Sequence, residues 1–315
     1  MGELRKDYVL DRYVIIASER AKRPDEFKKK PKRKSKKNKV DFFAPGNEDL
    51  TPKEIYRYPE NTKDWQIRVF PNKFPAVKPE GKSEVRTDNH FFTYSDAFGY
   101  HEVIVETPDI KKTLADLSEK QIANVLKVIK KRVSINMNCD NIKYVSVFKN
   151  HGENAGTSIE HSHCQLIAYN IIPEIIKRKE YMVKKHESCP YCAVLKIEKN
   201  SHRRCFENKD FVAFTPYASR FPFEIWILPK RHIKNITELN DEEFVYLAEI
   251  MKKILVKLKK LGVDYNMDFQ YGVENMHFHV KIMPRISKWA GFEHATGTII
   301  NIMPPEDAAE YYRSD

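Results

Sequence analysis

A chain that repeats one supersecondary unit must bury the second copy much as it buries the first. Residues 102–121, EVIVETPDIKKTLADLSEKQ, lie over residues 224–243, EIWILPKRHIKNITELNDEE, without a gap. Each copy reads as a short strand of β-branched and aromatic residues, a turn, and the start of an amphipathic helix. Both helices open on the same signal. Ser118 stands three residues before Gln121, and Asn240 three before Glu243. At that spacing two side chains can satisfy the first free backbone N–H groups reciprocally. Apolar residues then recur at helical spacing: Ile122, Val125 and Ile129 in one copy, Phe244, Leu247, Ile250 and Ile254 in the other. Gly262 supplies a stop for the second helix.

After each helix comes a pair of strands, YVSVFKN and HSHCQLIA in the first copy, MDFQYGV and HFHVKIM in the second. Both copies therefore end on a strand carrying His-x-His. The repeat predicts an α+β fold of two tandem units, each a mainly antiparallel sheet with packed helices. The segment 171–186, IIPEIIKRKEYMVKKH, reads as a connecting helix, so the units are residues 1–170 and 171–315.

The charge balance narrows the partners. Lys and Arg outnumber Asp and Glu by 55 to 44, a net charge of +11, which favours polyanions such as nucleotides, sugar phosphates or nucleic acid. The run KKKPKRKSKKNK at 28–39 has no apolar anchor and reads as a solvated loop, so nucleic acid is not the expected partner. Five cysteines, two of them in a CxxC, argue against a disulfide framework and for a reducing compartment. No stretch approaches about 18 consecutive apolar residues, so no membrane partner is expected. The start, MGELRKDYVL, lacks an apolar signal core, and the expected location is cytoplasmic.

The chemistry sits on the repeated last strand. Side chains alternate across a strand, so His161, His163 and Gln165 share one face, and Ser162, Cys164 and Leu166 the other. The preceding loop, NHGENAGTS, holds Gly152, Gly156, Thr157 and Ser158, small residues that let backbone N–H groups approach a phosphate. This setting suits phosphoryl or nucleotidyl transfer. His163 would attack phosphorus, and Gln165 would donate to a non-bridging oxygen where negative charge is held. Two satisfied core histidines are the competing reading. In the second copy CPYC places Cys189 and Cys192 at metal-ligand spacing. With His232 and His277 they make a Cys2His2 set that one Zn2+ fills; His186 is a competing ligand. In the first copy DFFA (41–44) stands where a CxxC could be, and Ile110 aligns with His232. Only His161, the counterpart of His277, remains, so the first half is expected to have lost its metal.

Taken together, SERAKRP (18–24), APGNEDLTP (44–52), FPNKFPAV (70–77), NHGENAGTSIEHSHCQ (150–165), SRFPFEIWILPKRH (219–232) and GFEHATGTIIN (291–301) resemble the galactose-1-phosphate uridylyltransferases of the histidine-triad superfamily. The resemblance covers nearly the whole chain and implies two tandem histidine-triad-like units. It implies ping-pong transfer through a covalent nucleotidyl-histidine on His163, with a nucleotide-sugar and a hexose 1-phosphate as partners. By the same resemblance Gln165, Ser158 and Asn150 hold phosphates. Arg20, Arg23 and Asn72 lie near the nucleotide, and Glu293 binds hexose hydroxyls. His161, Gly156 and Thr157 complete the expected site. The HSH form and the Cys189, Cys192, His232, His277 zinc set also resemble the related ADP-glucose phosphorylases, so a phosphorylase is the alternative. Monomer and homodimer both stay open.

Overall fold

The structure is a computed structural model that describes residues 2–22, 40–272 and 274–314. Arg23 and the lysine run 28–39 lie outside the described residues. The strands in chain order are β1 (Glu3–Lys6), β2 (Tyr13–Ile16), β3 (Tyr56–Tyr58), β4 (Ile67–Pro71), β5 (Arg86–Asp88), β6 (Phe92–Tyr94), β7 (Gly99–Val105) and β8 (Tyr144–His151). There follow β9 (His163–Tyr169), β10 (Arg204–Glu207), β11 (Phe211–Phe214), β12 (Ile225–Pro229), β13 (Tyr265–Gln270), β14 (His279–Pro284) and β15 (Ile299–Asn301). The helices are α1 (Glu119–Met137), α2 (Glu174–Lys184), α3 (Pro190–Glu198), α4 (Asp241–Leu261), α5 (Gly291–Thr296) and α6 (Pro305–Arg313).

Ten strands form one antiparallel sheet in the order β10-β11-β12-β14-β13-β8-β9-β7-β4-β3. Read outward from the β13–β8 seam, the two sides have the same construction. β8, β9, β7, β4 and β3 answer β13, β14, β12, β11 and β10, and α1 and α4 each bridge the matching pair of strands. The repeat has therefore been joined edge to edge, and each copy covers the strand edge that the other would leave open. The helix starts follow the capping signals. Ser118 accepts the Gln121 N–H at 3.2 Å, and Asn240 and Glu243 form the full reciprocal pair at 2.9 and 2.8 Å. Gly262 ends α4 in the left-handed region at φ 70°, where a side chain would be strained.

The helices α1 and α4 pack together on one face of the sheet, and the main core lies beneath them. Cys164, Leu166 and Ala168 of β9 enter that core. His163 and Gln165 alternate to the opposite face, beside a smaller cluster of Phe43, Trp65, Phe70, Val103 and Val105. A separate sheet of β1, β2 and β15 joins the two chain ends, and Arg5 and Asn301 tie it to Tyr217 and Ser219 of the second half. The first two strands thus sit with the second half in space. No helix among the described residues is long and apolar enough to cross a membrane.

Candidate active site and metal centre

His163 opens β9 and is 8% exposed. Its Nδ1 donates to the backbone oxygen of His161 at 2.7 Å, an acceptor that fixes the tautomer. Nε2 then carries the free lone pair, and among the described residues nothing hydrogen-bonds it. Burial holds the His163 imidazole below its ordinary pKa; the carbonyl of His161 opposes that shift and the Lys149 ammonium adds to it. The ring is therefore neutral and nucleophilic at pH 7. Phe43 lies edge-on against it, with ring centroids 5.4 Å apart at 83°.

Gln165 is oriented by His101, a residue that no motif in the sequence marks. The backbone N–H of Ala76 donates to His101 Nδ1 at 3.1 Å, so the ring proton sits on Nε2. His101 Nε2 donates to Gln165 Oε1 at 2.9 Å, and Asn72 Nδ2 approaches the same oxygen at 3.4 Å. With its oxygen engaged, Gln165 keeps its amide hydrogens for an anion. Burial keeps the His101 pKa low, in line with that neutral tautomer. The same logic orients Asn150. Its Oδ1 accepts from Asn266 Nδ2 at 2.8 Å, which leaves its own amide hydrogens free. Asn266 comes from β13, across the seam, and no local pattern pairs it with Asn150.

The loop after β8 makes a tight turn over Glu153–Ala155. Gly152 sits at φ 87°, and a Cβ there would lie 1.9 Å from the Asp264 carboxylate, so both conformation and space require glycine. Gly156 is left-handed at φ 86°, Thr157 Oγ1 donates to Asn150 O at 2.6 Å, and Ser158 is exposed. His161 is buried with both nitrogens engaged, to Asp41 at 2.8 Å and to Thr107 O at 2.6 Å. Arg20 and Glu293 make no described hydrogen bond to this group. Arg20 follows β2, and Glu293 sits on α5, where its carboxylate accepts the Ala290 N–H.

Behind β9, on the helix face, lies a buried ionic group that sequence alone did not suggest. Lys149 Nζ donates to Glu106 at 2.6 Å, to Ser162 Oγ at 3.1 Å and to the His163 carbonyl at 3.0 Å. Glu106, fully buried, also accepts from Ser162 at 2.6 Å and from Cys164 at 2.8 Å. Burial pushes the Glu106 carboxyl up, but Lys149 and the Cys164 and Ser162 donors outweigh it and hold it below its usual range. Burial and Glu106 push the Cys164 thiol well up, so it remains a donor. The residue between the two histidines is therefore a serine with a partner to reach.

In the second half, ligand atoms of Cys189, Cys192, His232 and His277 all lie within 4.8 Å of one another. Cys189 caps α3 with Pro190 as the first helical residue, which places Cys192 inside the first turn. Cys192 Sγ is 3.3 Å from His232 Nδ1 and 3.4 Å from His277 Nδ1. Burial and the neighbouring Cys189 push the Cys192 thiol up to about 12, and burial and then His232 bring His277 down to about 4. A divalent cation at this point would bind the neutral imidazoles as they stand and pull the Cys192 thiol back down. His186 is exposed and lies outside the set. The counterpart of His163 is His279. It makes the same bond, Nδ1 to the His277 carbonyl at 3.0 Å, but is fully buried between Trp226 and Tyr191. Only the first half presents its second histidine.

A family model for the N-terminal domain of galactose-1-phosphate uridyl transferase matches residues 2–173, and a domain of unknown function matches 118–312. An ADP-glucose phosphorylase of Arabidopsis thaliana is 32% identical over 324 residues, 99% of this chain and 92% of that protein. A galactose-1-phosphate uridylyltransferase of Thermotoga maritima is 29% identical over 335 residues, 99% of this chain and 98% of that protein. A crystal structure of an ADP-glucose phosphorylase from Arabidopsis thaliana with bound ADP-glucose overlays with a TM-score of 0.86 at 30% identity, covering 100% of this chain and 99% of that one.

Proposed function

Because the chain belongs to the galactose-1-phosphate uridylyltransferase family, we propose that it is a nucleotidyltransferase that works through His163. The carrying observation is the His163 ring, pinned at Nδ1 and free at Nε2 beside an amide whose oxygen is already engaged. Nε2 attacks the α-phosphorus of a nucleotide-sugar. A P–N bond forms as the P–O bond to the β-phosphate breaks, and hexose 1-phosphate leaves with that electron pair. A second hexose 1-phosphate then attacks the same phosphorus, the P–N bond breaks, and the imidazole is regenerated. The Gln165 and Asn150 amides and the Gly152–Ser158 loop hold the non-bridging oxygens as charge builds there. Arg20, Arg23, Asn72 and Glu293 remain candidate substrate contacts. Catalysis is assigned to residues 1–170 and the metal to 171–315.

UDP-glucose is the proposed donor and galactose 1-phosphate the proposed acceptor. The 32% identity to an ADP-glucose phosphorylase supports a second reading, with an adenine nucleotide-sugar as donor and phosphate as acceptor. One experiment separates them. The protein is incubated with UDP-glucose or ADP-glucose labelled at the α-phosphorus, quenched in alkali and mapped for label on His163. Label from UDP-glucose supports the first reading, and label from ADP-glucose alone supports the second. No label from either, with both shown to bind, removes His163 as nucleophile.

The lowered His163 pKa gives a pH prediction. A depressed value means that the neutral ring persists to lower pH, and activity is lost only as Nε2 takes up a proton. The acid limb of kcat/KM should therefore lie below the ordinary imidazole value. An acid limb at or above that value contradicts the assignment.

Zn2+ is the proposed occupant of the Cys2His2 set, since two thiols and two imidazoles match its tetrahedral preference. When bound it would supply structure, joining α3 to the turn after β12 and the start of β14. Elemental analysis should find about one zinc per chain, and none in Cys189→Ser/Cys192→Ser. A zinc content unchanged in that variant would place the metal elsewhere.

A further inference from the structure

The metal-competent set of the second half has a counterpart in the first where a metal does not fit. The repeat places Asp41 to Ala44 where Cys189 to Cys192 stand, Ile110 where His232 stands and His161 where His277 stands. Ala44 and Ile110 offer no ligand atom. The two donors that remain bond to each other: His161 Nδ1 lies 2.8 Å from Asp41 Oδ2, which leaves no room for an ion between them. His161 Nε2 meets the Thr107 carbonyl at 2.6 Å. Both ring nitrogens are therefore engaged within the protein. A direct carboxylate–imidazole contact stands where the other half has thiols, imidazoles and room for a cation.

We infer that this direct Asp41–His161 contact, rather than a metal, sets the position of His163, which makes Asp41 a positioning residue of the site. The inference rests on His163 being the nucleophile. Asp41 reaches His163 from two sides. Through His161 it fixes the carbonyl that takes the His163 Nδ1 proton. Through its own loop it fixes Phe43: Asp41 Oδ1 accepts the Phe43 N–H at 3.1 Å, and Asn47 Nδ2 donates to Asp41 O at 2.7 Å. Phe43 then lies edge-on against the His163 ring. Both carboxylate oxygens are in use as acceptors, so an amide in place of the carboxylate can serve only one of the two donors.

The test compares Asp41→Asn with the wild type and with His163→Ala, following covalent labelling of the whole protein over a single turnover. Folded Asp41→Asn should keep its nucleotide affinity and lose about tenfold to a hundredfold in labelling rate. Labelling within about twofold of wild type would overturn the inference. Ring-nitrogen NMR adds a readout that needs no substrate. The His161 ring-nitrogen shifts should differ between wild type and Asp41→Asn, because the Nδ1 partner changes; unchanged shifts also overturn it.

Where Asp41→Asn fails to fold, Asp41→Cys/Ala44→Cys/Ile110→His keeps the question open to an answer. That variant should bind a second zinc and label His163 within about threefold of wild type. A folded variant that takes no second zinc, or takes it and labels as slowly as about one-hundredth of wild type, counts against the inference. The His163→Ala control separates the two failures. If it labels like wild type, the nucleophile assignment is at fault; if it is silent while Asp41→Asn is unimpaired, only the positioning role falls.

Discussion

His163→Ala is expected to lower nucleotidyl transfer by about four orders of magnitude or more, with nucleotide binding little changed. The reason is geometric. The substitution removes the atom that forms the P–N bond but leaves Gln165 anchored by His101 and Asn150 anchored by Asn266. No described side chain stands ready to replace it. His161 has both nitrogens engaged, and the second-half twin, His279, is fully buried. Single-turnover labelling beside a nucleotide-binding titration checks the result. Near-wild-type turnover in a clean preparation would show that the HSH strand only binds.

Lys149→Met should be among the most destabilising single substitutions in the protein. It leaves Glu106 fully buried with Ser162 and Cys164 as its remaining side-chain donors, and an uncompensated buried charge costs about 3–5 kcal/mol. The double variant Glu106→Gln/Lys149→Met removes both charges and should recover much of that loss, because burying an ion pair is itself expensive. Denaturant unfolding of the two single variants and the double variant measures the coupling directly. Additive losses would mean that the pair is not a unit. Activity should not recover in step with stability, because Lys149 also holds the His163 carbonyl at 3.0 Å and depresses the His163 pKa. The pair serves to fix β9 as much as to stabilise the fold.

The fold class and helix limits were legible because they depend on local regularities. The gapless repeat, the N-caps at Ser118 and Asn240 and the stop at Gly262 each act within a few residues and each appears in the structure, with the reciprocal pair completed only at Asn240. The HSHCQ face was legible for the same reason, since strand alternation alone puts His163 and Gln165 together. The Cys2His2 set that could hold a metal also followed from residue chemistry, with His186 as the competing ligand that the structure leaves outside it.

What the sequence could not supply were contacts made across long separations. Asp41 and His161 are brought together by a loop that closes over β9, and Asn266 reaches Asn150 only because the two copies share a sheet seam. Glu106 and Lys149 looked like ordinary charges at the end of a strand and within the next, yet they meet inside the core. His101 could have been suspected from its place on the first repeat strand, but its role depends on which nitrogen Ala76 engages. The sequence by itself determined the repeated α+β unit, the strand face that His163 and Gln165 share and a Cys2His2 set that could hold a metal, because periodicity and residue chemistry are local. Tertiary structure alone decided which histidine keeps a free nitrogen, which is walled in, and that His161 of the first half meets Asp41 directly. Those outcomes depend on which acceptor each ring nitrogen finds, and chain closure sets that partner.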